Sequence, residues 1–216
     1  MTTKTYSTFL FFLTIFLATS CNNKSLKVVD NKNVITDRLN FSTIEKKFKY
    51  QNLSVFSIDT IQWDKRNDFY TKLDSISFFQ IYQDTTKKEY LGQYAESINL
   101  DFFYSKQKNK RGLIELAVLT QREGEYCDRI LYNIYDLNGK LISSFRVAGS
   151  CGDGGYYETA SGSFLNDSTY ELLSKDNYKT EDVEKPNIIT YSKTLTIIKP
   201  NGTMVQTDTT LRTETK

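Results

Sequence analysis

The stretch that decides the fold is CDRILYNIYDLNGKLISSFRVAGSC, residues 127–151. Apolar side chains alternate before its centre at Ile130, Tyr132 and Ile134, and again after it at Phe145 and Val147. A period of two residues indicates a half-buried β-strand. Asn138-Gly139, between the two runs, is the strongest short-range signal for a two-residue hairpin turn. The stretch therefore predicts an antiparallel hairpin.

The same alternation continues on both sides of this hairpin. It recurs in residues 98–104, 114–118, 170–172, 189–197 and 204–205, with short turns at Asn166-Asp167 and at residues 200–202. Strands joined by short turns are antiparallel neighbours. We therefore predict a mainly β fold, an antiparallel meander of about eight strands that forms a sandwich or an open barrel.

The region before residue 98 is less regular. Residues 53–58 are typical of a strand, and the apolar, aromatic residues 76–82 suggest a strand buried on both sides. Asp64 is a candidate N-cap for a helix that ends at Leu73, with Phe69 and Leu73 one turn apart. The sequence thus predicts at most one short helix, near residues 64–73.

The two cysteines of the quoted stretch, Cys127 and Cys151, lie at its ends. A turn centred between Asn138 and Gly139 places Cys127 opposite Ser150, so that Cys151 is the next residue along. Regular pairing would direct the two thiols to opposite faces. A disulfide therefore also requires a bulge, or a rearrangement by the glycine-rich loop at residues 149–155.

The amino-terminal residues predict export. Lys4 precedes the apolar run in LFFLTIFLATSC, residues 10–21, which is too short for a hydrocarbon core that needs about 20 apolar residues. Its end, Ala-Thr-Ser-Cys, resembles a bacterial lipobox, although alanine replaces the usual leucine at the first position. An ordinary secretory signal with a chance cysteine is the alternative. We expect a signal peptide at 1–20, lipidation (palmitate) of Cys21, a polar tether at 21–40, a single β domain at 41–208 and a frayed tail at 209–216.

With this lipobox, its Asn/Lys-rich start and its tyrosine-rich strands, the chain resembles the small lipoproteins of Bacteroidota. In these proteins surface export is associated with acidic residues after the lipidated cysteine. Here Asn22-Asn23-Lys24 follows Cys21. The resemblance therefore implies an outer-membrane protein, lipid-anchored and facing the periplasm, where an even pair of cysteines forms a disulfide.

Composition excludes several chemistries. The chain has no histidine, which removes Ser-His-Asp catalysis and every His-ligated metal site. Ser150 lies in a sequence that nearly matches G-x-S-x-G, but the first glycine is absent. The formal net charge of +2 gives no sign of nucleic-acid binding. We therefore predict no catalytic residue, metal or cofactor.

A candidate binding loop surrounds the open end of the hairpin. It contains Asp128, Asp153, Tyr156, Tyr157 and Glu158, with Glu123, Glu125 and Tyr126 nearby. Carboxylates and aromatic rings together can bind a glycan, and paired carboxylates can hydrolyse one. Solvated acidic loops are the commoner explanation of such a cluster.

Three hypotheses for function follow. The favoured one is a lipid-anchored envelope protein whose β domain binds an envelope protein or a glycan, or has a structural role. The first alternative is a glycan hydrolase that uses carboxylates near Asp128, Asp153 and Glu158. The second is an inhibitor or immunity-type protein, which predicts an exposed apolar patch or a long edge strand.

Overall fold

The computed structural model describes residues 41–58, 66–83, 100–108, 111–122, 127–179 and 186–216. The described ranges leave out residues 1–40, with the expected signal peptide, Cys21 and the expected tether, and also Glu123, Glu125 and Tyr126. The predictions for these residues therefore remain predictions. Within the described ranges, no helix is long and apolar enough to cross a membrane.

The described chain forms three short helices and nine strands. The helices are α1 (Phe41–Glu45), α2 (Arg66–Phe69) and α3 (Ser75–Tyr82). The strands are β1 (Val55–Phe56), β2 (Leu100–Lys106), β3 (Ile114–Arg122), β4 (Cys127–Tyr135), β5 (Leu141–Asp153), β6 (Tyr156–Asn166), β7 (Thr169–Tyr178), β8 (Ile188–Ile198) and β9 (Met204–Thr215).

Strands β2 to β9 pair in sequence order, each antiparallel to the next. The sheet is a meander that does not close on itself. The prediction of a mainly β antiparallel meander is confirmed, with nine strands where about eight were expected.

The sheet divides where β5 meets β6. Only the last part of β5, from Gly149 to Asp153, pairs with β6. Beyond Ala160 the same edge of β6 pairs with β1 instead, through Val55↔Ser163 and Phe56↔Gly162. Strand β1 therefore occupies the place that β5 leaves, and a first half (β2–β5) and a second half (β6–β9) are joined through the β5–β6 junction.

The main core surrounds β1. The ring of Phe56, which is fully buried, lies 6.1–6.5 Å from four aromatic rings of the two halves. These are Tyr104, Tyr132, Phe164 and Tyr170. Tyr170 of β7 also donates a hydrogen bond to the Val147 carbonyl of β5 at 2.6 Å. One aromatic residue on a two-residue strand thus connects both halves of the sheet.

A second core lies where helices α1 and α3 pack on the first half. Phe41, Ile44, Phe78 and Ile81 of the helices share this cluster with residues of β2, β3 and β4. Those strand residues are Phe103, Leu116, Val118 and Tyr135. Alternation then directs Ala117 and Leu119 of β3 into the main core. Strand β3 is therefore buried on both faces.

The structure corrects the prediction for residues 76–82, which form helix α3 and not a strand. Asp74 caps this helix by accepting a hydrogen bond from the Ser77 amide at 2.7 Å. Phe78 and Ile81, three residues apart, then face the sheet together. A continuous apolar run does not distinguish a buried strand from a buried helix, and here the cap decides.

Other helix and strand boundaries also differ from the sequence predictions. Within residues 64–73 the helix found in the described part is the single turn of α2, while the expected N-cap Asp64 lies outside the described residues. Helices α1 and α3 exceed the one helix expected. The strand expected at 53–58 is confined to Val55–Phe56.

The expected frayed tail at 209–216 is wrong, because residues 209–215 complete β9 and Lys216 is paired beyond it. Thr215 pairs with Ile188, and Lys216 and Asn187 exchange two backbone hydrogen bonds of 2.7 and 2.9 Å. Pairing with β8 provides hydrogen-bond partners for the backbone of this segment, although most of its side chains are exposed.

Candidate functional site

The disulfide Cys127–Cys151 closes the open end of the β4–β5 hairpin, as predicted. The turn contains three residues, because Asp136 donates to the Lys140 carbonyl and Gly139 donates to the Asp136 carbonyl. Two bulges, one between Tyr135 and Ile134 and one between Leu131 and Ile130, then each shift the register by one residue. Cys127 therefore lies directly opposite Cys151, with Cα atoms 4.1 Å apart, somewhat closer than the about 4.5 Å of the close antiparallel pair.

Two arginines lie beside this disulfide. Arg129 Nη2 is 3.6 Å from the sulfur of Cys127 and 3.6 Å from that of Cys151. Arg146 Nη2 forms an ion pair of 2.5 Å with Glu158, which is opposite Cys151 on β6. Both side chains pass close to Gly149, where an added Cβ would lie 3.6 Å from Arg129 Cγ and 3.4 Å from Arg146 Cδ, at ordinary van der Waals distance.

The candidate binding loop is divided by the sheet. Asp153, Tyr156 and Glu158 share one face at the β5–β6 turn, because Asp153 pairs with Tyr156 and Glu158 is two residues further along. Tyr157 lies on the other face, against Gly152, where an added Cβ would be 3.2 Å from its ring. Asp128 is buried and lies opposite Ser150, so it does not share a face with Glu158.

Tyr156 is the best positioned aromatic residue of this loop. Its hydroxyl donates to Asp176 Oδ1 at 2.8 Å, and its side chain stays partly exposed. Partial burial, reinforced by the hydrogen bond to Asp176, raises the pKa of Tyr156 to about 12. The hydroxyl is therefore a hydrogen-bond donor at neutral pH and not a nucleophile.

The arrangement gives little support to carboxylate catalysis. A hydrolase requires two carboxyl groups that face each other across the scissile bond. Asp128 lies on the face of the sheet opposite to Asp153 and Glu158, and the Glu158 carboxylate is bound by Arg146. Among the described residues, no three metal-ligating side chains converge either.

A cleft of about 170 Å³ at the other end of the sheet contains a charged group that the sequence analysis did not identify. The Glu115 side chain is 3% exposed; its Oε1 forms an ion pair of 2.6 Å with Arg111 Nη2 and its Oε2 accepts a hydrogen bond from Tyr132. Burial, and then the charge of Glu115, raise the pKa of Tyr132 well above its usual value of 10. The apolar residues Ala117 and Leu119 lie on the same face of β3 as Glu115. In the sequence, they are the indication that this face of the strand is buried as well as the opposite one.

The polar groups of this cleft mainly bind one another. Gln107 accepts a hydrogen bond from the Leu53 amide at 2.8 Å and donates to Ser105 at 2.7 Å. Ligand pockets usually have volumes of about 300–1,000 Å³, well above that of this cleft. We interpret the cleft as a polar brace that fixes the segment before β1 against the sheet.

The two outer edges of the sheet differ. The β2 edge is covered by residues 49–51 and 71–73, which form four backbone hydrogen bonds with β2. These are Lys106 to Lys49, Gln51 to Lys106, Phe103 to Thr71 and Leu73 to Asp101, with lengths of 2.7–3.0 Å. An edge covered in this way cannot accept another strand.

The β9 edge, in contrast, has no neighbouring strand among the described residues. Nine consecutive residues, 205–213, are exposed. The Lys199 amide donates to the Thr203 carbonyl, so these two residues form a hydrogen-bonded pair at the start of the β8–β9 ladder. Hydrogen-bonded and non-hydrogen-bonded pairs alternate along an antiparallel ladder. Val205, Thr207 and Thr209 consequently direct their backbone groups towards β8, whereas those of Gln206, Asp208 and Thr210 point outwards.

Each side of this edge presents a different chemistry. Val205 lies opposite Ile197, and both are 48% exposed, so one face has an apolar pair. On the other face Gln206 donates to Thr196 at 3.0 Å and Asp208 accepts from Thr194 at 2.5 Å. Pro and Lys, which commonly protect edge strands, are absent from β9.

The chain matches no protein-family model, no curated protein and no solved structure.

Proposed function

We propose that the protein is a lipid-anchored envelope protein whose β domain binds an extended segment of a partner protein on the β9 edge. The observation that carries this proposal is the contrast between a covered β2 edge and an open β9 edge. Exposed edge strands otherwise favour aggregation, and this chain covers one edge with its own backbone. Strand addition to an open edge is a common mode of peptide recognition.

The outward-pointing backbone groups determine the form of the partner. Gln206, Asp208 and Thr210 present alternating amides and carbonyls that only another extended backbone can satisfy together. On one face the added strand would pack an apolar side chain beside Val205. On the other face it would place a basic or hydroxyl side chain beside Asp208. The expected partner segment therefore alternates apolar and polar residues.

A second copy of the chain fits this edge less well. Two-fold pairing of the outward residues that aligns Gln206 with Thr210 of the other copy places Asp208 opposite its own equivalent. Like charges directly opposite each other destabilise a strand pair. The charge at the centre of the edge thus favours a different protein as the occupant.

Gln206→Pro tests the role of the edge. Proline removes the outward amide, whereas the ladder with β8 uses the neighbouring residues, so the domain should remain folded. Gln206→Ala is the matched control, since it removes the hydrogen bond to Thr196 but keeps the amide. A photo-crosslinking residue at Thr207, in cells, should capture a partner in the wild-type and alanine backgrounds and at least tenfold less of it with proline.

Equal capture in all three backgrounds would contradict the proposal. A concentration-dependent dimer in ultracentrifugation, abolished by Gln206→Pro alone, would instead assign the edge to a second copy.

The anchor is tested separately. The apolar run followed by Ala-Thr-Ser-Cys supports lipidation at Cys21, and the Cys127–Cys151 disulfide supports an oxidising compartment. Cys21→Ser should release the protein from the detergent phase into the aqueous phase. Continued partitioning of this variant into detergent would contradict the lipid anchor.

A further inference from the structure

A shallow cleft of about 190 Å³ lies on the second half of the sheet, over strand β7. The side chains that line this outer cleft include Thr159, Ser161, Leu173, Lys175 and Tyr191. Pairing of Thr159 with Lys175, and of Lys175 with Tyr191, aligns three strands across it. Ala160 and Leu172, which alternate with these residues along β6 and β7, belong to the main core. The outer cleft is therefore on the face of the second half that is turned away from the main core.

The hydroxyl groups of the outer cleft are available to a ligand. Those of Thr159, Ser161 and Tyr191 form no hydrogen bond within the part of the chain that the structure describes. The cleft beside Glu115 differs, because its polar groups bind one another. Each hydroxyl can donate one hydrogen bond and accept two. The outer cleft thus presents several hydrogen-bonding groups that a polar ligand can satisfy.

The outer cleft also carries a positive charge. Lys193, which follows on the same face, forms an ion pair of 3.8 Å with Glu171. Lys175 forms no ion pair with any described residue, and its Nζ lies 5.9 Å from the centre of the Tyr191 ring. An ammonium group at this distance from an aromatic ring is attracted to it. Lys175 is therefore held at the cleft with its charge uncompensated, which is complementary to an anion.

Two side chains give the outer cleft an apolar surface. Leu173 is 48% exposed, although it lies in the middle of β7. The Tyr191 ring is held from β9 by Arg212, whose Cζ lies 4.1 Å from the ring centre. A sugar combines hydroxyl groups at its edge with apolar C–H groups on its faces, and amphipathic surfaces bind both. The volume of the cleft suits one sugar unit, with the rest of a chain in solvent.

We infer that the outer cleft binds a sugar that carries an anionic group, either a carboxylate or a phosphate, as one unit of an acidic glycan. Lys175 Nζ donates to the anionic group, which gives a charge-assisted hydrogen bond. The hydroxyls of Thr159 and Ser161 bind the hydroxyls of the sugar, and Leu173 contacts its apolar face. This site lies on β6, β7 and β8, so a glycan bound here leaves the backbone edge of β9 open.

Titration of the ¹⁵N-labelled full-length protein with four probes tests this inference. The protein is held in a polyoxyethylene detergent, which contains no sugar. Glucuronate and glucose 6-phosphate represent the two anionic groups, glucose lacks the charge, and inorganic phosphate lacks the sugar. At least one of the two anionic sugars should shift the amides of Thr159, Ser161, Leu173 and Lys175. Glucose and inorganic phosphate should bind about fivefold more weakly than that sugar.

Variants of the lining residues separate the charge from the hydroxyls. Lys175→Gln should weaken binding of the anionic sugar about fivefold, the size expected for an exposed ion pair, and Lys175→Arg should restore most of it. Thr159→Val, which keeps the shape and removes the hydroxyl, should weaken it about threefold. Lys140→Gln, in the exposed β4–β5 turn, is the control for a general loss of charge and should leave binding unchanged.

The inference is overturned if neither anionic sugar shifts these amides, or if glucose binds as tightly as the anionic sugars. It is also overturned if inorganic phosphate binds as tightly as glucose 6-phosphate while glucuronate does not bind, since the site then recognises charge alone. Equal affinities of Lys175→Gln and Lys140→Gln would likewise contradict it.

Discussion

Gly139 shows how a single residue connects a local turn to a distant helix. Its φ of 80° lies in the left-handed region, and a Cβ at this position would overlap the side chain of Phe41 in α1. The Asn138-Gly139 pair predicted a turn here, and the turn is present. The sequence does not predict that this turn contains three residues. The conformation at Gly139 depends on Phe41, which fills the space beside it and lies almost a hundred positions away in sequence.

Gly139→Ala should therefore destabilise the domain by about 2–4 kcal/mol, from backbone strain and from displacement of Phe41. Gly112→Ala is the matched control, because Gly112 also has a positive φ, 70°, but nothing lies within 4 Å of the added Cβ. The control should lose only the strain, about 1–2 kcal/mol. Urea unfolding of both variants measures the difference, and equal losses would show that Phe41 is not in the way.

The Cys127–Cys151 disulfide is a second feature that depends on individual residues. The sequence register brought Cys127 and Cys151 close together and required a bulge to align them. The bulge after Ile130 provides the alignment. Its position could not be predicted, because both Val147 and Ala148 are small enough to enter the core at the bulge and neither carries a distinctive signal.

Helix α3 is the element for which the sequence pattern was most misleading. Its residues are apolar and aromatic enough for a strand, and the decisive residue, Asp74, lies just outside the apolar run. Asp74 also forms an ion pair of 2.7 Å with Lys47, in the segment after α1. The cap therefore fixes both the start of the helix and its position relative to α1.

Replacing this cap should give a pH-dependent loss of stability. Burial alone would raise the pKa of Asp74, but the hydrogen bonds from Lys47 and Ser77 outweigh it and lower the pKa below 3.8. A lowered pKa means that the stabilisation is present above pH 3.8 and is lost as the pH falls through the folded-state pKa. Asp74→Ala should cost about 1 kcal/mol at pH 7.

Asp74→Asn is the matched control, since it keeps a capping oxygen and loses the charge. Its loss of stability at pH 7 should be smaller than that of the alanine variant. Urea midpoints at pH 7 and at pH 3 compare the three proteins. If the difference between wild type and Asp74→Ala is undiminished at pH 3, the carboxylate is not the stabilising group.

At the scale of the whole molecule, buried tyrosines connect the sheet. Burial raises the pKa of Tyr132, Tyr135 and Tyr170 well above 10. Tyr135 donates to the Ile81 carbonyl at 2.8 Å, and Tyr170 to the Val147 carbonyl at 2.6 Å. Each hydroxyl must therefore remain protonated for the native packing to persist.

The domain should accordingly lose stability at alkaline pH. For a group whose pKa is raised on folding, the contribution is fully present below the unfolded value, about 10 for tyrosine, and decreases as the pH rises above it. Tyrosinate absorbance should show that some of the 15 tyrosines ionise only together with unfolding. Tyr135→Phe should make the loss of stability above pH 10 less steep; an unchanged slope would exclude Tyr135 as a contributor.

The fold class was predictable because a meander depends on local alternation and short turns, both of which are read directly from the sequence. The open edge at β9 was not, since it depends on which strand has no neighbour once all others are paired. The pairing of β1 with β6 was not predictable either. Two residues, Val55 and Phe56, have no pattern that points to Ser163 and Gly162 as their partners.

This pairing of β1 with β6 also sets an order of events for a chain that is made from its amino terminus. The meander can form hairpin by hairpin through contacts between sequence neighbours, but Phe56 has no complete site until β6, more than a hundred residues later, is available. The Phe56 side chain, which is central to the core, is therefore buried only after the rest of the sheet has assembled. Pulsed amide labelling during refolding should show the β4–β5 hairpin protected before Val55 and Phe56, and the reverse order would contradict this sequence of assembly.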